Sequence, residues 1–183
     1  MFEVILETRR LLLRKLKFDY IADFVEYRSD PDVCKFQGFE PLTEEKAIKY
    51  IEELKDGEFG EAGKWFQLGI ELKSENKLIG DVGLKPTKDN TKIVEFGLSL
   101  STNYQGGGYA REAVAGICDF LFREMKTHRI FGTTDTENLS CIRLCESLNF
   151  QCEGKLRQNF WDNAMQMWRD EYLYAMLKSD WTK

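Results

Sequence analysis

Histidine is almost absent from this 183-residue chain, where His128 stands alone. A zinc site draws on histidine and cysteine, and the cysteines do not make up the shortfall. There are five, Cys34, Cys118, Cys141, Cys145 and Cys152, an odd number with no C-x-x-C pair. They read as free thiols in a reducing cytoplasm, most of them buried, so no metal site is expected. A basic excess is also missing. Lys and Arg number 26 against 31 Asp and Glu, for a formal net charge of −5. That speaks against a nucleic-acid partner and is compatible with a cationic acceptor. No apolar run approaches the roughly 20 residues of a membrane span. The first seven residues show neither a basic region nor a small-residue cleavage site, so neither a membrane partner nor a signal peptide is expected. Repeats, low-complexity segments and interdomain linkers are absent too. One domain is expected over residues 1–183, with its core at about 8–177.

What the chain does have is a glycine bend between a strand and a helix. Ile93 to Leu100 reads as a strand, and Ala110, Ala113, Val114, Ile117, Phe120, Leu121 and Met125 follow at helical spacing. Between them runs Gln105-Gly106-Gly107-Gly108-Tyr109-Ala110-Arg111. Glycines allow close approach of a ligand to the backbone, and the first N–H groups of a helix have no partner within it. Together they make an anion site, suited to a phosphate or pyrophosphate. A P-loop would need Lys and Ser or Thr after its last glycine, where Tyr109 and Ala110 stand. A dinucleotide fingerprint starting at Gly106 would want Gly or Ala where Arg111 stands, and the preceding strands do not alternate with helices.

Gln105-Gly106-Gly107-Gly108-Tyr109-Ala110 resembles the Q/R-x-x-G-x-G/A signature of the Gcn5-related N-acetyltransferases. Other segments match in order. Thr8 to Arg14 resembles the opening strand of the branch that acetylates ribosomal-protein N-termini. Leu78 to Leu84 resembles its third strand, and Asn138-Leu139-Ser140 with Leu148-Asn149-Phe150 resembles the N-x-S…L-G-F segment. The resemblance implies acetyl-coenzyme A as co-substrate, no metal, and an amine acceptor that is a small molecule or a protein N-terminus. Homodimer formation stays open. In the family, backbone amides of the glycine loop hold the pyrophosphate. Here these are the amides of Gln105, Gly106, Gly107, Gly108, Tyr109 and Ala110, with Arg111 as a charge partner or, more plainly, a solvated helix residue.

Periodicity and turn residues give the order of elements. A strand at about 8–17 is followed by helices over Asp19 to Arg28 and from Thr43 onward, with Thr43 as N-cap. Strands Trp65–Leu72, Lys77–Leu84 and Ile93–Leu100 meander. After the glycine-loop helix come a strand at Arg129–Thr134, a helix at Leu139–Leu148, and closing strands at Phe150–Arg157 and Asp170–Leu177. This is an α+β fold with a mixed, mostly antiparallel sheet and helices on both faces. The resemblance further implies that the strand before the glycine loop and the strand after its helix splay apart to admit the pantetheine arm.

Acetyl transfer needs a neutral amine, a positioned N–H for the thioester oxygen, and a proton for the leaving thiolate. The resemblance points to the backbone of Leu98, Ser99 and Leu100 for the second. Strand alternation puts Glu95 on the face of Gly97 and Ser99, away from Val94, Phe96 and Leu98, which makes it the first candidate for the base. A salt-bridged strand glutamate is the plainer alternative, and Asp81 and Glu71 are weaker candidates. Asn138 and Ser140 match a site that contacts the pantetheine arm and its sulfur, though both residue types also favour helix starts. Many family members carry a general-acid tyrosine where this chain has Cys145, so Ser140 or water becomes the candidate acid. Phe36, Phe39, Trp65, Phe160 and Trp161 are aromatics available to an acceptor pocket. A coenzyme-binding module without catalysis is the alternative to an enzyme.

Overall fold

The computed structural model describes residues 4–37, 40–54 and 57–182. Eight strands form one sheet in the order β1-β2-β3-β4-β5-β6-β8-β7. The first five are Val4–Glu7 (β1), Leu11–Lys15 (β2), Phe66–Leu72 (β3), Lys77–Pro86 (β4) and Ile93–Leu100 (β5), each antiparallel to the next. Arg129–Asp135 (β6) runs parallel to β5, and Gln151–Asp162 (β7) and Met167–Leu177 (β8) close the sheet antiparallel. The helices are Ile21–Arg28 (α1), Pro31–Cys34 (α2), Glu44–Leu54 (α3), Tyr109–Asp119 (α4) and Leu139–Ser147 (α5).

Period-two alternation divides the strands between two cores. Leu11, Leu13, Phe66, Leu68, Ile70, Val94 and Leu100 pack with Ala113, Val114, Ile117 and Leu121 of α4 and its extension. Residues of the other parity face α1 and α3, whose Phe24, Tyr27, Ala47 and Ile51 form a second core with Leu16 and Leu78. Burying each such Leu, Ile or Phe contributes about 1.5–3 kcal/mol. Thr43 caps α3 as expected, its Oγ1 accepting from Lys46 N–H at 3.3 Å.

Four boundaries differ from the sequence reading. The opening strand is a hairpin, because Thr8 to Arg10 turn the chain between β1 and β2: Thr8 N–H donates to Leu11 O at 3.0 Å. The first helix begins as a 3-10 turn, Phe18–Tyr20. Ser29 to Asp32 ends α1 and also starts α2, with Asp30 as N-cap accepting from Asp32 N–H at 2.9 Å and Pro31 in the first turn. The closing strands run past Arg157, because a register shift between Leu156 and Phe160, with Gln158 at φ 48°, absorbs the polar interruption without ending the hairpin.

The feature that matters for function lies between β5 and β6. They pair only at Ile93↔Arg129, Val94↔Ile130 and Glu95↔Phe131. β5 continues to Leu100 and β6 to Asp135 without pairing, so the two strands diverge from Phe96 and Gly132 onward. At the apex they are tight: a Cβ on Gly132 would sit 2.9 Å from Phe96 O.

Candidate active site

The divergence of β5 and β6 opens a cavity of about 480 Å³. Leu98 and Leu100 border it on one side, Gly132 to Thr134 on the other, the glycine loop at one end and α5 along its flank. Ser101 N–H donates to Ile79 O at 2.9 Å, so the odd residues of β5 direct their main-chain groups toward β4. The main chains of Phe96, Leu98 and Leu100 therefore face the gap. Two side-chain amides occupy carbonyls there: Gln37 Nε2 donates to Leu98 O at 2.9 Å and Gln105 Nε2 to Leu100 O at 3.0 Å. The N–H groups of Leu98 and Leu100 point the same way. Ser99 does not join them. Its main chain faces β4, its side chain is buried, and it borders a different cavity.

The glycine loop is built for an anion. Gly106 and Gly108 have φ of 77° and 75°, a left-handed backbone that glycine adopts freely. The first backbone bond of α4 runs from Glu112 N–H to Gly108 O at 3.1 Å, so the N–H groups of Tyr109, Ala110 and Arg111 precede the helical ladder. Gly106, Gly108, Tyr109, Ala110 and Arg111 all border the cavity, and Arg143 of α5 adds a second guanidinium. Gly107 plays a different part. Its carbonyl turns away and accepts from Arg10 Nη1 at 2.9 Å, while Arg10 Nε pairs with Glu112 at 2.6 Å and its guanidinium lies 4.2 Å from the Tyr109 ring centre. Such an arrangement favours an anionic group.

α5 supplies the other flank. Asn138 is its N-cap, with Oδ1 accepting from Cys141 N–H at 3.1 Å, and it also borders the cavity. Ser140 borders the cavity but is exposed. Three residues on from Asn138 stands Cys141, on the same helix face as buried Cys145, and both thiols line the cavity beside Thr134 and Tyr174. The neighbouring Cys145 thiol holds Cys141 below the ordinary thiol range, against burial. That same bond and burial raise Cys145 far above the thiol range. Burial pushes the Tyr174 phenol up to about 12.

A second cavity, of about 400 Å³, lies on the α1–α3 face of the sheet. It shares Phe36, Gln37, Phe96, Gly97, Leu98 and Thr133 with the first, so the two meet through the gap between the strands. Trp65, Phe160 and Glu95 line it as the sequence suggested, but Trp161 does not. Trp161 is exposed and packs on Trp168 at 5.4 Å between ring centres. Phe39 lies outside the described residues.

Glu95 is held by Lys85 at 2.5 Å. Asp81 is buried and bonded to Tyr27 Oη at 2.5 Å, to Arg28 Nη2 at 2.5 Å, and to Gln67 Nε2. Burial alone would lower Arg28, but Asp81 overrides it and raises the guanidinium, whereas burial raises the Tyr27 phenol well above its ordinary value. Glu71 is tied up by Tyr20 and by Arg14 at 3.2 Å. Locked in these networks, Asp81 and Glu71 are frame rather than base candidates. Five carboxylates line the cavity, on Asp81, Glu95, Asp135, Asp162 and Glu171, against Arg28 and Lys35. Asp135 pairs with Arg169 at 2.7 Å, while Asp162 and Glu171 have no basic partner among the described residues.

The sequence reading missed Gln37, Arg143, Thr134, Cys141, Tyr174 and the Arg10–Glu112 brace. Only Cys141 carried a signal, its spacing from Asn138.

A strand pair splayed over a glycine-loop helix, with amides at one end and a second cavity across the gap, defines an acyl-coenzyme-A N-acyltransferase fold. The chain belongs to the acetyltransferase (GNAT) domain family, which matches residues 10–151. It is an N-acetyltransferase by family. It is 32% identical over 177 residues to the "Uncharacterized N-acetyltransferase p20" of Bacillus licheniformis, covering 96% of this chain and 97% of that one. An acetyltransferase (GNAT family) from Bacillus anthracis superposes with a TM-score of 0.84 at 29% identity, covering 98% of this chain and 99% of that one. The spermidine N-acetyltransferase of Vibrio cholerae, solved in complex with CoA and spermine, shares the fold at a TM-score of 0.79 and 21% identity, covering 94% and 98%.

Proposed function

We propose that this protein transfers the acetyl group of acetyl-coenzyme A to a primary amine, by direct attack with both substrates bound. The observation that carries this reading is the shared wall: Phe96, Gly97, Leu98 and Thr133 border both cavities, so a thioester in the first faces an amine in the second. Holding the two face to face supplies much of the rate.

The pyrophosphate sits on the amides of Gly106 and Gly108 to Arg111, with Arg111 and Arg143 as cations. The pantetheine arm lies along Leu98 and Leu100 and meets Asn138. The thioester oxygen takes the N–H of Leu98 or Leu100, aimed at the charge that develops as the amine adds. Glu95 is the base, acting through water, with Lys85 sharing its carboxylate. The leaving thiolate takes its proton from Ser140 or water, since Cys145, where many relatives place an acid, holds its proton too tightly to give it up.

The acceptor is cationic. Asp162 and Glu171 face the second cavity without basic partners, and a second positive charge on an amine would find them there. Both a polyamine-like small molecule and a protein N-terminus with nearby basic residues meet that description. Five free cysteines fit a reducing cytoplasm.

The test is a panel of diamines, monoamines and N-terminal peptides, read by release of coenzyme thiol, alongside calorimetry with acetyl-coenzyme A. Turnover with cationic amines and a thermal upshift with the coenzyme are expected. No thiol release from any amine would end this reading.

A further inference from the structure

Cys141 is a thiol lining the cavity that receives a thiol coenzyme, and acetyl transfer as described makes no use of it. It sits in the first turn of α5, where unpaired N–H groups favour negative charge. Its own N–H is taken up by Asn138 at 3.1 Å. Cys145 lies one turn further along the same face, and both border the cavity between the glycine loop and Thr134. Thr134 is buried, and its hydroxyl has no hydrogen-bond partner among the described residues. Cys141 is half-buried, reachable from the cavity and shielded from bulk solvent.

We propose that Cys141 is a covalent modification site for the oxidised coenzyme: it exchanges with coenzyme A disulfide and ends as a mixed disulfide that fills the cavity and shuts off acetyl transfer. This rests on the reading of the cavity as the acyl-coenzyme site. The glycine loop holds the pyrophosphate of one half of the disulfide, which brings its sulfur down the gap to α5. The Cys141 thiolate attacks that sulfur. A bond between Cys141 Sγ and the held coenzyme forms, the original S–S bond breaks, and the second coenzyme departs as a thiolate that takes a proton from solvent. One disulfide is consumed and one is made, so no further oxidant is needed. Reduced coenzyme or any small thiol reverses the step. The neighbouring Cys145 thiol holds Cys141 below the ordinary thiol range, so exchange should persist to lower pH than with a free thiol and slow as Cys141 protonates.

The test uses the full-length protein with coenzyme A disulfide, followed by intact mass and tryptic mapping. Arg143 lies between Cys141 and Cys145, so trypsin separates the two thiols. One coenzyme adduct on the peptide carrying Cys141 is expected, removed by dithiothreitol, suppressed by excess acetyl-coenzyme A, and accompanied by loss of transfer in proportion to modification. Cys152→Ser, which alters an exposed thiol away from the cavity, should still form it. Cys141→Ser should not, while still showing a thermal upshift with acetyl-coenzyme A. If that variant does not fold, the mapped wild-type peptide decides. An adduct only on a peptide that lacks Cys141, such as residues 144–155 with Cys145 and Cys152, an adduct that acetyl-coenzyme A does not suppress, or none in protein that binds acetyl-coenzyme A overturns the proposal and leaves the cavity reading standing. Failure to bind acetyl-coenzyme A at all overturns both.

Discussion

The Arg10 guanidinium donates to the carbonyl of Gly107 at 2.9 Å, across 97 residues of chain, while its Nε pairs with Glu112. The opening hairpin thus braces the bend proposed to present amides to the coenzyme. Arg10→Ala should weaken acetyl-coenzyme A binding although Arg10 is not among the residues lining the cavity. Losing a charge-assisted hydrogen bond of this kind costs about 1.5–3 kcal/mol, or roughly ten- to a hundredfold in Kd if it is all expressed in binding. Calorimetry against wild type checks it, and unchanged affinity would show that the loop holds its shape unaided.

The same brace carries a pH signature. Burial would raise the Glu112 carboxyl, but hydrogen bonds from Thr8 and from the Arg10 backbone and side chain win and hold it below its ordinary range. A carboxyl depressed in the folded state stabilises fully above its unfolded value, about 4.3, and the stabilisation is lost as pH falls through the folded value. Wild type should therefore lose stability in acid more steeply than Glu112→Gln, whose reduced stability should vary less below about pH 4. Denaturant midpoints from pH 3 to 7 for the two proteins measure this.

Gly108→Ala puts a Cβ on a residue at φ 75°. The left-handed conformation costs an L-residue about 1–2 kcal/mol, and relief by rotation would turn the N–H groups at the start of α4 off the pyrophosphate. A lower melting temperature together with a large loss of coenzyme affinity is expected. Gly154→Ala, a glycine of β7 whose Cβ would meet nothing within 4 Å and which borders neither cavity, should bind the coenzyme normally.

Glu95→Gln separates binding from turnover. It keeps the shape of the strand face and removes the base, so kcat should drop by about 100-fold or more while acetyl-coenzyme A binding is retained. The deficit should shrink as pH rises and more acceptor amine is already neutral. Equal kcat in both proteins would remove Glu95 from the mechanism.

Asp162→Asn and Glu171→Gln probe the acceptor. Asp162 accepts from the Ala164 and Met165 N–H groups and Glu171 from Asn159, but neither has a basic partner among the described residues, and about 1 kcal/mol of attraction to a second positive charge corresponds to a roughly fivefold rise in KM. Diamines should suffer and monoamines should not, with the wild-type preference itself fading at high salt.

Much of this was legible in advance because backbone rules dominate it. The alternation of Val94, Glu95, Phe96, Gly97 and Leu98 assigns faces whatever packs there, and triple glycine before an apolar helix marks the bend. β7 and β8 ran long because a bulge at Gln158 looks in sequence like a stop. Ser99 was grouped with Leu98 and Leu100 because their neighbourhood was visible while the direction of each main-chain group was not. Gln37, Thr134 and Tyr174 reach the cavity from distant segments, and no local pattern announces a meeting made by the sheet. The acid pairings of Glu95, Asp81 and Glu71 belong to the same class, since partners 10 to 57 positions away decide whether a carboxylate is available.

The two cavities share only the stretch at Phe36, Gln37, Phe96, Gly97, Leu98 and Thr133, so on the proposed reading neither guest has to pass the other. A bulky acceptor can dock from its own side with only its reactive tip threaded between the diverging strands. On the same reading, acetylated product and spent carrier leave by separate exits, in whichever order their own grip allows.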